Sequence, residues 1–97
     1  MAAQPLDQLQ INDALKKLEG WSFDNDKISK TYTFHSFKEA VSFIVRLSFE
    51  AETMDHHPEL FNVYSTVSIA LNTHDACGKV TEKDLRLAEK IEKISWV

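Results

Sequence analysis

The apolar residues of this chain change their repeat four times along its length, and that alternation limits its possible folds more than any other property. Ile11, Ala14, Leu15 and Leu18 recur at helical spacing, with Lys16 and Lys17 in the last turn and Gly20 as the terminating residue. Asp7 or Asn12 can cap the start. Trp21 and Phe23 then alternate, and Asp24-Asn25-Asp26 supplies turn chemistry. Ile28, Tyr32 and Phe34 share one strand face against Ser29, Thr31 and Thr33 on the other. Lys30 interrupts the apolar face, which predicts that this strand runs near a sheet edge.

The helical repeat returns after Ser36, a candidate cap, with Phe37, Ala40, Val41, Ile44, Leu47 and Ala51 on one stripe. Phe43 and Val45 widen the stripe to roughly 200°, and Phe49 falls on the side of Lys38, Ser42 and Arg46. One sheet cannot cover so broad a surface, so a second partner, such as the same helix of another copy, is expected. Pro58 disfavours helical conformation at His57 and ends the helix by about Asp55 or His56.

Two more strands follow. Phe61, Val63 and Ser65 alternate with Leu60, Asn62 and Tyr64, then Val67, Ile69 and Leu71 face away from Ser68, Ala70 and Asn72. His74 shares the face of Asn72. Thr81 as N-cap, Asp84 three residues on, and Val80 with Leu85 as a staple mark the start of a last helix, buried through Leu87, Ala88, Ile91 and Ile94. The order α-β-β-α-β-β-α predicts an α+β domain with helices on one face of a four-stranded antiparallel sheet.

Ninety-seven residues suffice for one domain, spanning 1–97, with 1–6 expected as a loose tail. A chain so short hides only about 60–65% of its unfolded surface, so self-association into a homodimer or homotetramer is expected. The net charge of −4 and the scattered basic residues argue against direct nucleic-acid binding. Cys77 is the only cysteine, which excludes an internal disulfide and fits a reducing compartment. The first ten residues lack a secretory signal pattern, and no run of 18 apolar residues suggests a membrane span. A cytoplasmic protein is expected, with the nucleus left open.

Histidine transfers protons near neutrality. His56 and His57 stand fixed before a proline, and His74 follows the last strand; together they can surround one small substrate. Glu52, Asp55 and Asp75 lie close enough in sequence to orient those rings. Bland roles compete: His35 and His74 as caps or solvated side chains, Glu52 as a solvated helix residue, and Asp84 as a cap and no more. Adjacent histidines rarely point at one ion, and no zinc-type spacing occurs, so no metal is expected. No nucleophile motif surrounds Cys77.

The run Glu52-Thr53-Met54-Asp55-His56-His57-Pro58, with Tyr64, His74 and a later Asp84, resembles the pattern of the pterin-4a-carbinolamine dehydratases, also called the dimerisation cofactor family. The similarity continues through Gly20-Trp21, Thr73-His74-Asp75 and Gly78, covering about Asn12 to Ile94. It implies a cofactor-free enzyme that expels the hydroxyl of 4a-hydroxytetrahydrobiopterin as water, giving quinonoid dihydropterin for recycling. His56 and His74 would be acids on opposite pterin faces, and His57 a binding residue with base character. Glu52 and Asp55 would position them, Pro58, Thr73, Asp75 and Ala76 would line the pocket, and Asp84 would give structural support. The family also implies a rival role, steadying the dimer of a homeodomain transcription factor. Lys79 lengthens the loop between His74 and Asp84 by one residue relative to the common form. Leu60 stands where many relatives have Trp, and Lys83 where some have Arg.

Overall fold

The computed structural model describes residues 3–96. The elements run α1 (Gln8–Leu15), β1 (Ser22–Asp24), β2 (Lys27–Thr33), α2 (Phe37–Met54), β3 (Glu59–Val63), β4 (Thr66–Leu71), a 3-10 turn (His74–Ala76) and α3 (Glu82–Lys93). This is the expected α-β-β-α-β-β-α order. The four strands form one antiparallel sheet in the order β1-β2-β4-β3.

Alternation decides which sheet face is covered. Ile28 and Tyr32 of β2 and Val67, Ile69 and Leu71 of β4 are buried in one cluster with Ala40, Phe43, Leu47 and Ala51 of α2 and Leu85, Leu87, Ala88 and Ile91 of α3. Tyr32, Phe34 and Phe43 tie sheet to helix, with Phe43 5.0 Å from each of the other two ring centres. The opposite face carries small polar groups, including a 2.9 Å bond between Thr31 and Ser68 hydroxyls.

Asp7, not Asn12, caps α1, in a reciprocal bond pair with Gln10. That helix stops at Leu15, earlier than the buried Leu18 suggested. Gly20, at φ +85°, turns the chain into β1 instead of capping the helix directly. A Cβ at Gly20 would meet the Lys30 side chain at 2.8 Å. Asn25 and Asp26, both with positive φ, close the β1–β2 hairpin. Leu6 donates its backbone N–H to Val80 O at 2.9 Å.

As expected, Lys30 lies near a sheet edge. β1 pairs only with residues 27–29, so from Lys30 onward β2 is paired on the β4 side alone. The lysine sits on the covered face because its ammonium finds partners there: Glu92 Oε2 and the Glu19 carbonyl, both at 2.8 Å. It also lies 4.6 Å from the Tyr32 ring centre, and Tyr32 donates its hydroxyl to Glu92. Burial and the neighbouring carboxylate push the Tyr32 phenol far above its ordinary range. Burial alone would raise the Glu92 carboxyl, but hydrogen bonds from Lys30 and Tyr32 and the Lys30 charge hold it below its usual value.

A depressed folded-state value means Glu92 stabilises the fold above the unfolded carboxylate pKa, about 4.3. That contribution disappears as pH falls through the lowered value. Glu92→Gln is expected to lower the urea midpoint at neutral pH, with the gap to the parent narrowing below about pH 4. A gap that does not change with pH contradicts this account of the cluster.

Candidate functional site

The end of α2 delivers the histidine pair. Asp55 takes a left-handed conformation at φ 49°, closing the helix with N–H bonds to Ala51 and Glu52 carbonyls. His56 N–H also returns to the Ala51 carbonyl at 3.0 Å. The reversal buries the His56 ring at 8% exposure and leaves His57 exposed before Pro58 leads into β3. His74 arrives from the other direction, at the start of the 3-10 turn after β4. That loop is closed by two backbone bonds at Thr73, which donates its N–H to Lys79 O at 2.9 Å and accepts from Gly78 N–H at 3.1 Å. Cys77 and Gly78 both turn with positive φ. The lengthened loop is well anchored, because the Lys79 ammonium also reaches Asp26 at 3.0 Å.

Asp55, His56, His57, Asn72, Thr73, His74, Asp75 and Lys83 line one polar hollow of about 280 Å³. That volume is near the small end of ligand pockets and suits a compact ring system. Larger depressions lie on the open sheet face, about 520 Å³, and between α1 and α3, about 600 Å³. Neither includes a histidine.

Each histidine of the pair is held by a carboxylate outside the hollow. Glu52 Oε1 lies 2.8 Å from His57 Nε2, in an exposed contact. Asp84 Oδ1 lies 2.5 Å from His56 Nε2, and Asp84 is fully buried. Asp84 Oδ2 also accepts the Thr81 N–H at 2.8 Å and the Thr73 hydroxyl at 2.9 Å. Asp84 is more than a cap: its carboxylate closes the capping box of α3 and holds the His56 ring at once. The His74 ring has no hydrogen-bond partner among the described residues.

The residues singled out by sequence are therefore divided. His56, His57, His74, Asp55, Thr73 and Asp75 meet at the hollow, whereas Glu52 and Asp84 stand behind it. Pro58 and Ala76 do not line it; Ala76 is buried at 6% exposure. Thr73 lines it while donating its hydroxyl to Asp84. Tyr64 occupies the β3–β4 turn, a strand length away. Asn72 and Lys83 were not singled out. Asn72 was signalled by sharing the strand face of His74, and Lys83 by its place in the first turn of α3. Among the described residues, no three His, Cys, Asp or Glu side chains form a group able to hold a metal ion.

Fold and hollow together define a class: a small α+β domain that gathers three imidazoles, two of them carboxylate-backed, at one end of a helix-covered sheet. The family described as "Pterin 4 alpha carbinolamine dehydratase" matches residues 4–94, and the chain belongs to that family. A protein of Opitutus terrae named "Putative pterin-4-alpha-carbinolamine dehydratase" is 55% identical over 92 residues, covering 95% of each chain. The crystal structure of a transcriptional coactivator/pterin dehydratase from Brucella melitensis superposes with a TM-score of 0.90 at 35% identity, covering 95% of this chain and 99% of that one. A pterin dehydratase-like protein described as a RuBisCO assembly factor in the alpha-carboxysome shares the fold, with a TM-score of 0.64 at 17% identity over 77% of this chain and 86% of that one.

Proposed function

We propose that the protein is a 4a-hydroxytetrahydrobiopterin dehydratase that works by histidine acid/base catalysis. The observation that carries the reading is the meeting of His56, His57 and His74 around one hollow of ligand size. Dehydration breaks the C4a–O bond and a ring N–H bond, forms a C=N bond and releases water as quinonoid dihydropterin appears. An acid must protonate the departing hydroxyl while a base takes the ring proton, and positioned imidazoles supply both. His56 and His74 act as the acids and His57 as a binding residue with base character. Glu52 and Asp84 hold two of the three rings in place. Asp55, Thr73 and Asp75 line the substrate site, with the Asn72 amide and Lys83 ammonium as further donors. The reaction requires no cofactor. We further place the protein, as a single domain, in the cytoplasm. No described helix is long and apolar enough to cross a membrane.

The direct test adds purified protein to freshly generated 4a-hydroxytetrahydrobiopterin and follows decay by stopped-flow absorbance. Acceleration is expected, and decay at the spontaneous rate refutes the proposal.

A second, compatible reading is that of a protein-binding module, favoured by one surface. Phe37, Val41, Val45 and Phe49 of α2 are exposed at 56%, 37%, 50% and 69%, in steps of one helical turn along one flank. We assign this stripe to self-association as a dimer or tetramer. Phe49→Glu is expected to lower the mass found by light scattering, and an unchanged mass speaks against the assignment.

A further inference from the structure

We propose that Thr81 is a positioning residue for His56, acting through Thr73 and Asp84 to fix which ring nitrogen carries the proton. The catalytic part of this inference rests on the dehydratase reading; the tautomer it assigns does not.

Hydrogen inventory gives the chain its direction. A threonine hydroxyl has one hydrogen to donate. Thr73 donates its hydrogen to Asp84 Oδ2 at 2.9 Å. At the 2.6 Å contact between the Thr73 and Thr81 hydroxyls, Thr81 must therefore be the donor. Thr81 Oγ1 accepts in turn from the Lys83 backbone N–H at 3.2 Å. The bonds then all point one way, from the first turn of α3 through Thr81 and Thr73 to Asp84. All three side chains are sealed from water, with exposures of 0% for Thr81, 2% for Thr73 and 0% for Asp84.

The consequence falls on His56. Asp84 Oδ2 already receives the Thr73 hydroxyl and the Thr81 N–H, so the carboxylate serves as an acceptor throughout. An ionised carboxylate has no hydrogen to give, so the 2.5 Å contact at Oδ1 needs a donor, which among the described residues is His56 Nε2. The neutral ring is then the Nε2–H tautomer, with its free lone pair on Nδ1. Among the described residues Nδ1 has no hydrogen-bond partner, and the only sealed, unpartnered polar side-chain atom found is Trp21 Nε1. Nδ1 therefore has an outlet, and the hollow lined by His56 supplies it. A ligand in the hollow meets Nδ1, which takes a proton from the neutral ring and gives one from the charged ring. Without the Thr81 hydroxyl, Thr73 Oγ1 loses the donor that polarises it, so its own bond to Asp84 Oδ2 weakens. Oδ2 is then less firmly held, and the constraint on the His56 tautomer weakens with it.

The test uses the full-length protein labelled with ¹⁵N at histidine, as the parent and as Thr81→Val and Thr81→Ser. Long-range ¹H–¹⁵N spectra report the tautomer of each neutral ring. The parent is expected to show His56 as Nε2–H. Thr81→Val is expected to shift the His56 ring nitrogens toward a tautomer mixture and lower kcat roughly ten- to hundredfold with little change in KM. Thr81→Ser is expected to restore both. A role confined to capping would lower the urea midpoint of Thr81→Val and leave the ring signals alone. That result, or a parent spectrum with His56 as Nδ1–H, overturns the proposal. If Thr81→Val does not fold, Thr73→Val, which breaks the same chain one bond later, is read in its place, and unmoved His56 ring signals there overturn the proposal. Absence of dehydratase activity in the parent would remove the proposed function but not the tautomer, which the spectra read independently.

Discussion

Replacing His56 and His74 together with alanine is expected to return carbinolamine decay to its spontaneous rate. A positioned acid or base contributes roughly 10²–10⁴-fold, and the double variant removes one imidazole from each of the two stretches that meet at the hollow. The fold should survive, with a cost. His56 is buried and gives Asp84 Oδ1 its only side-chain donor among the described residues, so its loss leaves an unpaired buried carboxylate oxygen, a cost of about 1–3 kcal/mol. His74 is exposed and without a hydrogen-bond partner among the described residues, so its replacement adds little. Circular dichroism should show a folded protein with a lower melting temperature. An undiminished dehydration rate in that folded variant removes the mechanism.

Asp84→Ala should have the largest effect on stability of any single polar substitution in the domain. The side chain is fully buried and takes bonds from His56, Thr73 and the Thr81 N–H. Alanine leaves these donors facing a void and also undoes the capping box of α3. Removing one partner of a buried charged network costs roughly 3–5 kcal/mol. Small domains hold about 5–15 kcal/mol in total, so the variant stands near the limit of folding. Urea denaturation at neutral pH measures the loss directly. A midpoint within experimental error of the parent would mean that the network contributes nothing to the fold.

The fold was legible because its covered face is written in alternation. Ile28 and Tyr32, then Val67, Ile69 and Leu71, could belong only to half-covered strands, and the broad stripe from Phe37 to Ala51 only to a helix. Thr81 with Asp84 marked the last helix start by purely local chemistry, and the structure contains that box. The failures concern long-range partners. Lys30 did mark a strand near the edge, but nothing near it in sequence reveals its partner Glu92, which tertiary packing brings within 2.8 Å. Leu18 and Gly20 suggested a longer first helix, but burial of Leu18 needs only a turn, and Gly20 serves the approach to β1.

The site divides in the same way. The His56-His57-Pro58 run and His74 were conspicuous because few residue types transfer protons near neutrality. That His56 and Asp84 touch was invisible, since 28 positions separate them and each has a sufficient local role. Lys83 belongs to the hollow through the direction of α3, and Ala76 leaves it through the inward turn of the 3-10 segment. Neither direction can be read from spacing.

Titrating ¹⁵N-histidine-labelled protein with a reduced pterin, 7,8-dihydrobiopterin, tests the convergence of the three imidazoles most directly. The expected result is a saturable shift of the His56, His57 and His74 ring signals at one common midpoint, with exposed His35 as the unmoved control. Shifts confined to one of the two stretches, or shared equally by His35, would contradict a common pterin site.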